Sequence, residues 1–116
     1  MKLPKVDLAV VPEETVTGYL LSKTHRDGRH KAAFFFAHGF AAAAPADLAE
    51  ALLQHARSHE VAKEEPSPFG RRYVVEGTME AADGRRPNLR TVWFIENGED
   101  TPRFVTAYPL PGDEYE

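Results

Sequence analysis

The side chains best able to do chemistry fall in two places along this sequence. His25-Arg26-Asp27-Gly28-Arg29-His30-Lys31 sets five basic groups into seven residues and runs onto the first turn of a predicted helix. Backbone N–H groups at a helix start, with Arg29 and Lys31 beside them, suit a phosphate. His30, Phe34 and His38 recur at i, i+4 and i+8, so a stripe facing a cleft would offer two imidazoles for proton transfer around an aromatic ring. Facing the core, the same histidines would be packed and hydrogen-bonded. The second concentration lies near the C-terminus. Arg90, Val92 and Phe94 share one face of a predicted strand. On the next, strict alternation groups Thr106 and Tyr108 with Phe104, opposite Arg103, Val105 and Ala107. Arginine, threonine and tyrosine on an open sheet face could grip a phosphodiester, although Thr and Tyr are also ordinary strand formers.

His55 and His59 stand four residues apart, a spacing that can bind a metal from one helix face. No neighbouring acid completes a known motif, and the pair reads as exposed imidazoles near a helix C-terminus, where the dipole favours their charge. The sequence has no cysteine, which removes disulfides, thiolate metal sites and a cysteine nucleophile. It has no glycine-rich phosphate loop either, so nucleoside triphosphate and dinucleotide chemistry are disfavoured. No metal and no cofactor is expected.

Three helices and then three strands would position these groups. Pro12 followed by Glu13 and Glu14 starts a helix that carries Val16, Tyr19 and Leu20 and ends near Ser22. Asp27 is the expected N-cap of a second, Arg29 to His38, with Gly39 as its left-handed C-cap. Its Phe34, Phe35 and Phe36 cannot all point one way. The third runs from Pro45 to about His59, with Leu48, Leu52 and Ala56 on one face. Lys63 to Pro68 reads as a Pro- and Glu-rich link. Beyond it the apolar period changes to two: Arg72 to Glu80, Leu89 to Glu96 and Arg103 to Tyr108 are strands, separated by reversals at Asp83-Gly84 and Asn97-Gly98. An extra edge strand is expected near Leu8–Val11. The fold class is α+β, with N-terminal helices packed on an antiparallel three- to four-stranded sheet formed by the C-terminal half.

With 116 residues, 42% hydrophobic and 28% charged, the chain fits one α+β domain over 1–110 and an acidic tail over 111–116. Formal net charge is −4, which argues mildly against a general nucleic-acid coat. Three of the acids, Asp113, Glu114 and Glu116, lie in that tail, so the body is close to balanced. No apolar run reaches the roughly 20 residues of a membrane span, and the opening residues do not read as a signal peptide. A cytoplasmic location is the default expectation.

Two long phrases carry a resemblance. Lys2-Leu3-Pro4, Gly18-Tyr19-Leu20-Leu21, His25, Gly28-Arg29-His30-Lys31-Ala32, Phe35 and Gly39-Phe40 form the first. Phe69 to Val75, Asp83-Gly84-Arg85, Arg90 to Trp93 and Pro102 to Pro109 form the second. Together they resemble the bacterial family catalogued as domain of unknown function 6883. Its layout is similar to that of the metal-independent ribonuclease toxins grouped around barnase, colicin-type tRNA nucleases and RelE-like toxins, which set helices on a four-stranded sheet and cleave RNA on that sheet. The resemblance implies attack of a ribose 2′-hydroxyl on its own phosphate without metal. It places Lys31 and Arg103 on the phosphate, His30 or His25 in proton transfer, and Thr106 and Tyr108 in hydrogen bonding or base stacking. His25, Arg29 and Arg90 would bind substrate. RNA and a small antitoxin or immunity-type protein are the implied partners. The alternative is a non-enzymatic protein-binding module, a toxin–antitoxin partner or a homodimer built on a sheet edge.

Overall fold

The computed structural model describes residues 1–26 and 28–110. The expected cap Asp27 and the acidic tail, 111–116, lie outside the described residues. After a short 3-10 turn at Val6–Leu8, three longer helical segments precede the sheet among the described residues. The first, α1 (Glu13–Thr15), continues as a π-helical turn over Val16–Leu20, and α2 (Arg29–Ala37) and α3 (Pro45–Ser58) follow. Pro45 opens α3 with its φ already suited to a helix, and Asp47 meets the positive end of the dipole. Leu48, Leu52, His55 and Ala56 form its buried face. At the end of α2, Gly39 takes φ 91°, a conformation that costs glycine little.

The second half is a four-stranded antiparallel meander in the order β1 (Val61–Ser67), β2 (Gly70–Thr78), β3 (Asn88–Glu96) and β4 (Arg103–Pro109). The helices cover one face. Between the layers lie Leu20, Phe35, Leu48, Leu52, Val75, Met79, Leu89, Trp93, Phe104 and Ala107. A left-handed Gly84 (φ 89°) helps close the β2–β3 connection.

The structure corrects the sequence reading of the sheet in three places. The expected link at Lys63–Pro68 belongs largely to strand β1, whose residues are mostly exposed. A solvated edge strand has no apolar alternation to read, and Pro66 with Lys63, Glu64 and Glu65 suits an edge that must not pair with another chain. Second, the strand expected near Leu8–Val11 is only an isolated parallel bridge from Val10 to Arg103. Third, the β3–β4 register shifts between Val92 and Trp93: Phe104 opposes Trp93 and Thr106 opposes Val92, which leaves Val105 as an extra residue. This bulge reverses the alternation. Phe104 joins Ala107 in the core, and Arg103, opposite Phe94, shares the open face with Thr106 and Tyr108.

Candidate functional site

The open face is organised around Lys31. Its helix begins at Gly28, where a Cβ would stand 2.1 Å from the Tyr19 carbonyl oxygen, so only a glycine lets the start of α2 lie against the Tyr19 turn. That contact carries Lys31 to the edge of the sheet. Its ammonium donates to the Tyr19 hydroxyl and, at 2.7 Å, to Thr106 Oγ1, and the two hydroxyls are 3.1 Å apart. The same nitrogen lies 4.9 Å from the Tyr19 ring centroid and 5.3 Å from that of Tyr108. An ammonium has three donors. Two are used here, and the third meets no hydrogen-bonding partner or carboxylate among the described residues.

Arg90 approaches Tyr108 as well, its guanidinium carbon 5.4 Å from the ring centroid. Its Nε and Nη2 both reach Glu76 Oε2 at 2.6 Å. Hydrogen bonds to the Tyr108 hydroxyl and to Glu76 push the Arg90 pKa still higher. Glu76 Oε1 has no partner among the described residues. Ala62, Lys63, Arg72, Val74 and Tyr108 complete a cleft of about 280 Å³ around this pair. Cross-strand register thus sets Lys63, Arg72, Arg90 and Arg103 on the open face with Glu65, Glu76 and Glu96, while Lys31 reaches it from α2. The cations outnumber the acids there, although the chain as a whole is at −4.

Of the residues singled out in the sequence, Lys31, Thr106, Tyr108 and Arg90 converge in this way. Arg103 lies on the same face but outside the Lys31 hydrogen bonds. It is exposed, without an ion pair among the described residues, in a separate cleft with Phe94, Glu96, Glu99, Thr101 and Val10. His25 sits behind Tyr19, with ring centroids 4.9 Å apart, and its Nδ1 accepts the Gly28 N–H at 3.0 Å. Arg29 N donates to the His25 carbonyl, so two backbone N–H groups at the start of α2 serve the turn itself. Arg29 and His30 are exposed, and His30 makes no hydrogen bond or ring contact with Lys31, Tyr19, Thr106 or Tyr108 among the described residues. His38 is buried, donating from Nδ1 to the Phe34 carbonyl at 2.8 Å with its ring 4.3 Å from that of Phe34. Tyr19 and Glu76 carry the site without having been marked for it. Tyr19 read as an apolar stripe residue, and Glu76 as one of an alternating strand. The one legible signal was Gly18-Tyr19 close before the basic stretch.

The expected exposed pair His55 and His59 is corrected. His55 is 2% exposed. Its Nε2–H is shared between the carbonyls of Gly77 and Leu89, which oppose each other across β2 and β3, and its Nδ1 accepts the Thr91 hydroxyl at 3.1 Å. Thr91 Oγ1 in turn accepts Trp93 Nε1–H at 2.9 Å. Burial, and next the charge of His59, lowers the His55 pKa to about 4. His59 lies over Gly77, where a Cβ would stand 2.6 Å from the imidazole, and bonds the Thr78 carbonyl. Among the described residues no three His, Asp or Glu side chains converge to hold a metal ion, and no helix is long and apolar enough to cross a membrane.

A model of the family described as domain of unknown function 6883 matches residues 2–111. Among solved structures, a chain of a contact-dependent growth inhibition toxin–immunity protein complex from Klebsiella pneumoniae 342 is similar, with a TM-score of 0.70 at 17% identity. The match covers 92% of this chain and 97% of that one. At that identity it establishes a shared fold. No curated protein matches the chain.

Proposed function

We propose that this chain, which belongs to the domain of unknown function 6883 family, is a metal-independent, toxin-type endoribonuclease that works on the open face of its sheet. The observation that carries the reading is Lys31: an ammonium fixed by two hydroxyls and two aromatic rings, with one donor left over and no carboxylate against it among the described residues. Such a preorganised cation suits the charge that develops on a phosphorane. The fold shared with a chain of a toxin–immunity complex agrees with it.

In the proposed reaction the ribose 2′-oxygen attacks phosphorus, its proton passes to Glu76 Oε1, and the bond from phosphorus to the 5′-oxygen breaks. The departing oxygen takes a proton from the Lys31–Tyr19 pair. The products are a 2′,3′-cyclic phosphate and a 5′-hydroxyl. Arg90 orients Glu76 through its paired hydrogen bonds, and Thr106 and Tyr108 hold the Lys31 ammonium in place. His25 supports Tyr19 from behind. Neither His30 nor Arg29 is needed at the reacting phosphate.

Incubation with tRNA and total RNA in the presence of a metal chelator tests the proposal. Wild type is expected to cleave, and Lys31→Ala to lose at least about 100-fold, as for removal of one oxyanion-stabilising group. RNA left intact by wild type across several substrates would reject it. The origin of the structural neighbour in a two-protein complex supports a second reading, a partner-binding protein without chemistry. Growth arrest on expression that Lys31→Ala relieves would separate the two.

A further inference from the structure

The outward residues of β3 mark three successive stations on the open face. Arg90 faces Tyr108 and the Glu76 cleft, Val92 faces Thr106 and hence Lys31, and Phe94 faces Arg103. Neighbouring stations are two residues apart along the strand, roughly 7 Å, a step that one nucleotide of an extended single strand can span. The third station is a cleft of about 290 Å³ with its own chemistry. The Phe94 ring is half-exposed and lies against the space that Gly70 leaves open, where a Cβ would come within 2.9 Å of it. Val10 forms an apolar wall. Arg103, Glu96 and Glu99 are exposed, and none of the three forms an ion pair among the described residues.

Two carboxylates in one small cleft repel a phosphate. They suit a neutral ring that offers N–H donors, and the arginine suits ring nitrogens and carbonyl oxygens that accept. An exposed aromatic ring on a sheet supplies the stacking surface that single-stranded bases use. We infer that the cleft between Phe94 and Arg103 is a nucleobase subsite, which seats an unpaired, amino-bearing base one nucleotide away from the phosphate at Lys31. This rests on the ribonuclease reading for the identity of the neighbouring site, and it changes the role of Arg103 from phosphate clamp to base reader. Bases held in a duplex cannot stack on Phe94, so the substrate is single-stranded or looped RNA.

The test is binding, which needs no cleavage. Short single-stranded RNAs with 2′-O-methyl groups throughout, in separate adenine-, cytosine-, guanine- and uracil-rich versions, are titrated by fluorescence anisotropy into wild type, Phe94→Leu, Phe94→Trp, Arg103→Ala and Lys31→Ala. Phe94→Leu keeps bulk but removes the ring, and its thermal melt checks the fold. The expected result is a 10-fold or greater loss for Phe94→Leu, recovery in Phe94→Trp, weaker binding by uracil-rich than by amino-bearing strands, and weak binding of a perfect duplex. A wild type that binds this way but leaves unmodified RNA intact keeps the subsite and discards the nuclease. Binding that Lys31→Ala weakens and Phe94→Leu does not, equal affinity for all four strands, tighter binding of the duplex, or no binding at all would overturn the subsite.

Discussion

At the scale of single residues, partners decide what each ionisable group does. Lys31 and His55 both come from helices and both meet a threonine on the sheet, yet they serve different ends. Lys31 meets Thr106 on the open side and keeps a donor to spare among the described residues. His55 meets Thr91 inside and has every ring nitrogen bonded. Protonating His55 would leave the Thr91 hydroxyl hydrogen without its acceptor, in a place where water cannot replace it. Because the folded pKa of about 4 lies below the ordinary 6.5, the unfolded chain binds a proton between those values that the fold refuses. Stability from this residue is therefore complete above pH 6.5 and falls as pH drops towards 4, by about 3 kcal/mol in all. Denaturant titrations across that window should show the decline, and His55→Gln, which donates and accepts without titrating, should flatten it. An unchanged slope in the variant would assign the pH dependence elsewhere. The sequence showed the spacing of His55 and His59 but not their burial, because the bonded carbonyls belong to β2 and β3, more than 15 residues away in the chain.

At the scale of elements, two local features place the site. The close approach at Gly28 brings α2 onto the Tyr19 turn. Gly28→Ala is expected to cost about 1–3 kcal/mol by overpacking and to reduce cleavage beyond what the melt explains, since Lys31 and Tyr19 would be pushed apart; activity per folded molecule equal to wild type would contradict this. The extra residue Val105 brings Arg103 onto the face of Thr106 and Tyr108. Deleting it sets Arg103 and Thr106 two residues apart, where strict alternation keeps them on one face, so the deletion variant should keep its RNA binding; a loss as large as in Arg103→Ala would show that the bulge does more than turn Arg103 to that face. The helices, and the strands whose apolar residues alternate, were legible from residue types alone. The bulge was not, since a register shift is fixed by pairing across two strands and no single strand records it. Edge strand β1 was hidden for the opposite reason: Lys63, Glu64, Glu65 and Pro66 are the residues of a link as much as of a guarded edge.

For the molecule as a whole, net charge is a poor guide and its distribution a better one. The chain is at −4, but the open face gathers Lys31, Lys63, Arg72, Arg90 and Arg103. Two or three phosphate contacts there predict a log–log salt slope for RNA binding of roughly −1.4 to −2.1, shallower than for a basic nuclease; a slope near zero would remove phosphate from the account. The candidate site was half legible in the sequence. Lys31, Arg90, Thr106 and Tyr108 stood out by type, whereas Tyr19 and Glu76 needed the fold to bring α2, β2 and β4 together. The most direct measurement of the central claim is the cleavage of a tRNA in metal chelator by wild type and Lys31→Ala, with product ends identified by mass. Wild type is expected to leave 2′,3′-cyclic phosphate ends and the variant to give at least about 100-fold less product. Equal cleavage by the two proteins, or none by either, would contradict the claim.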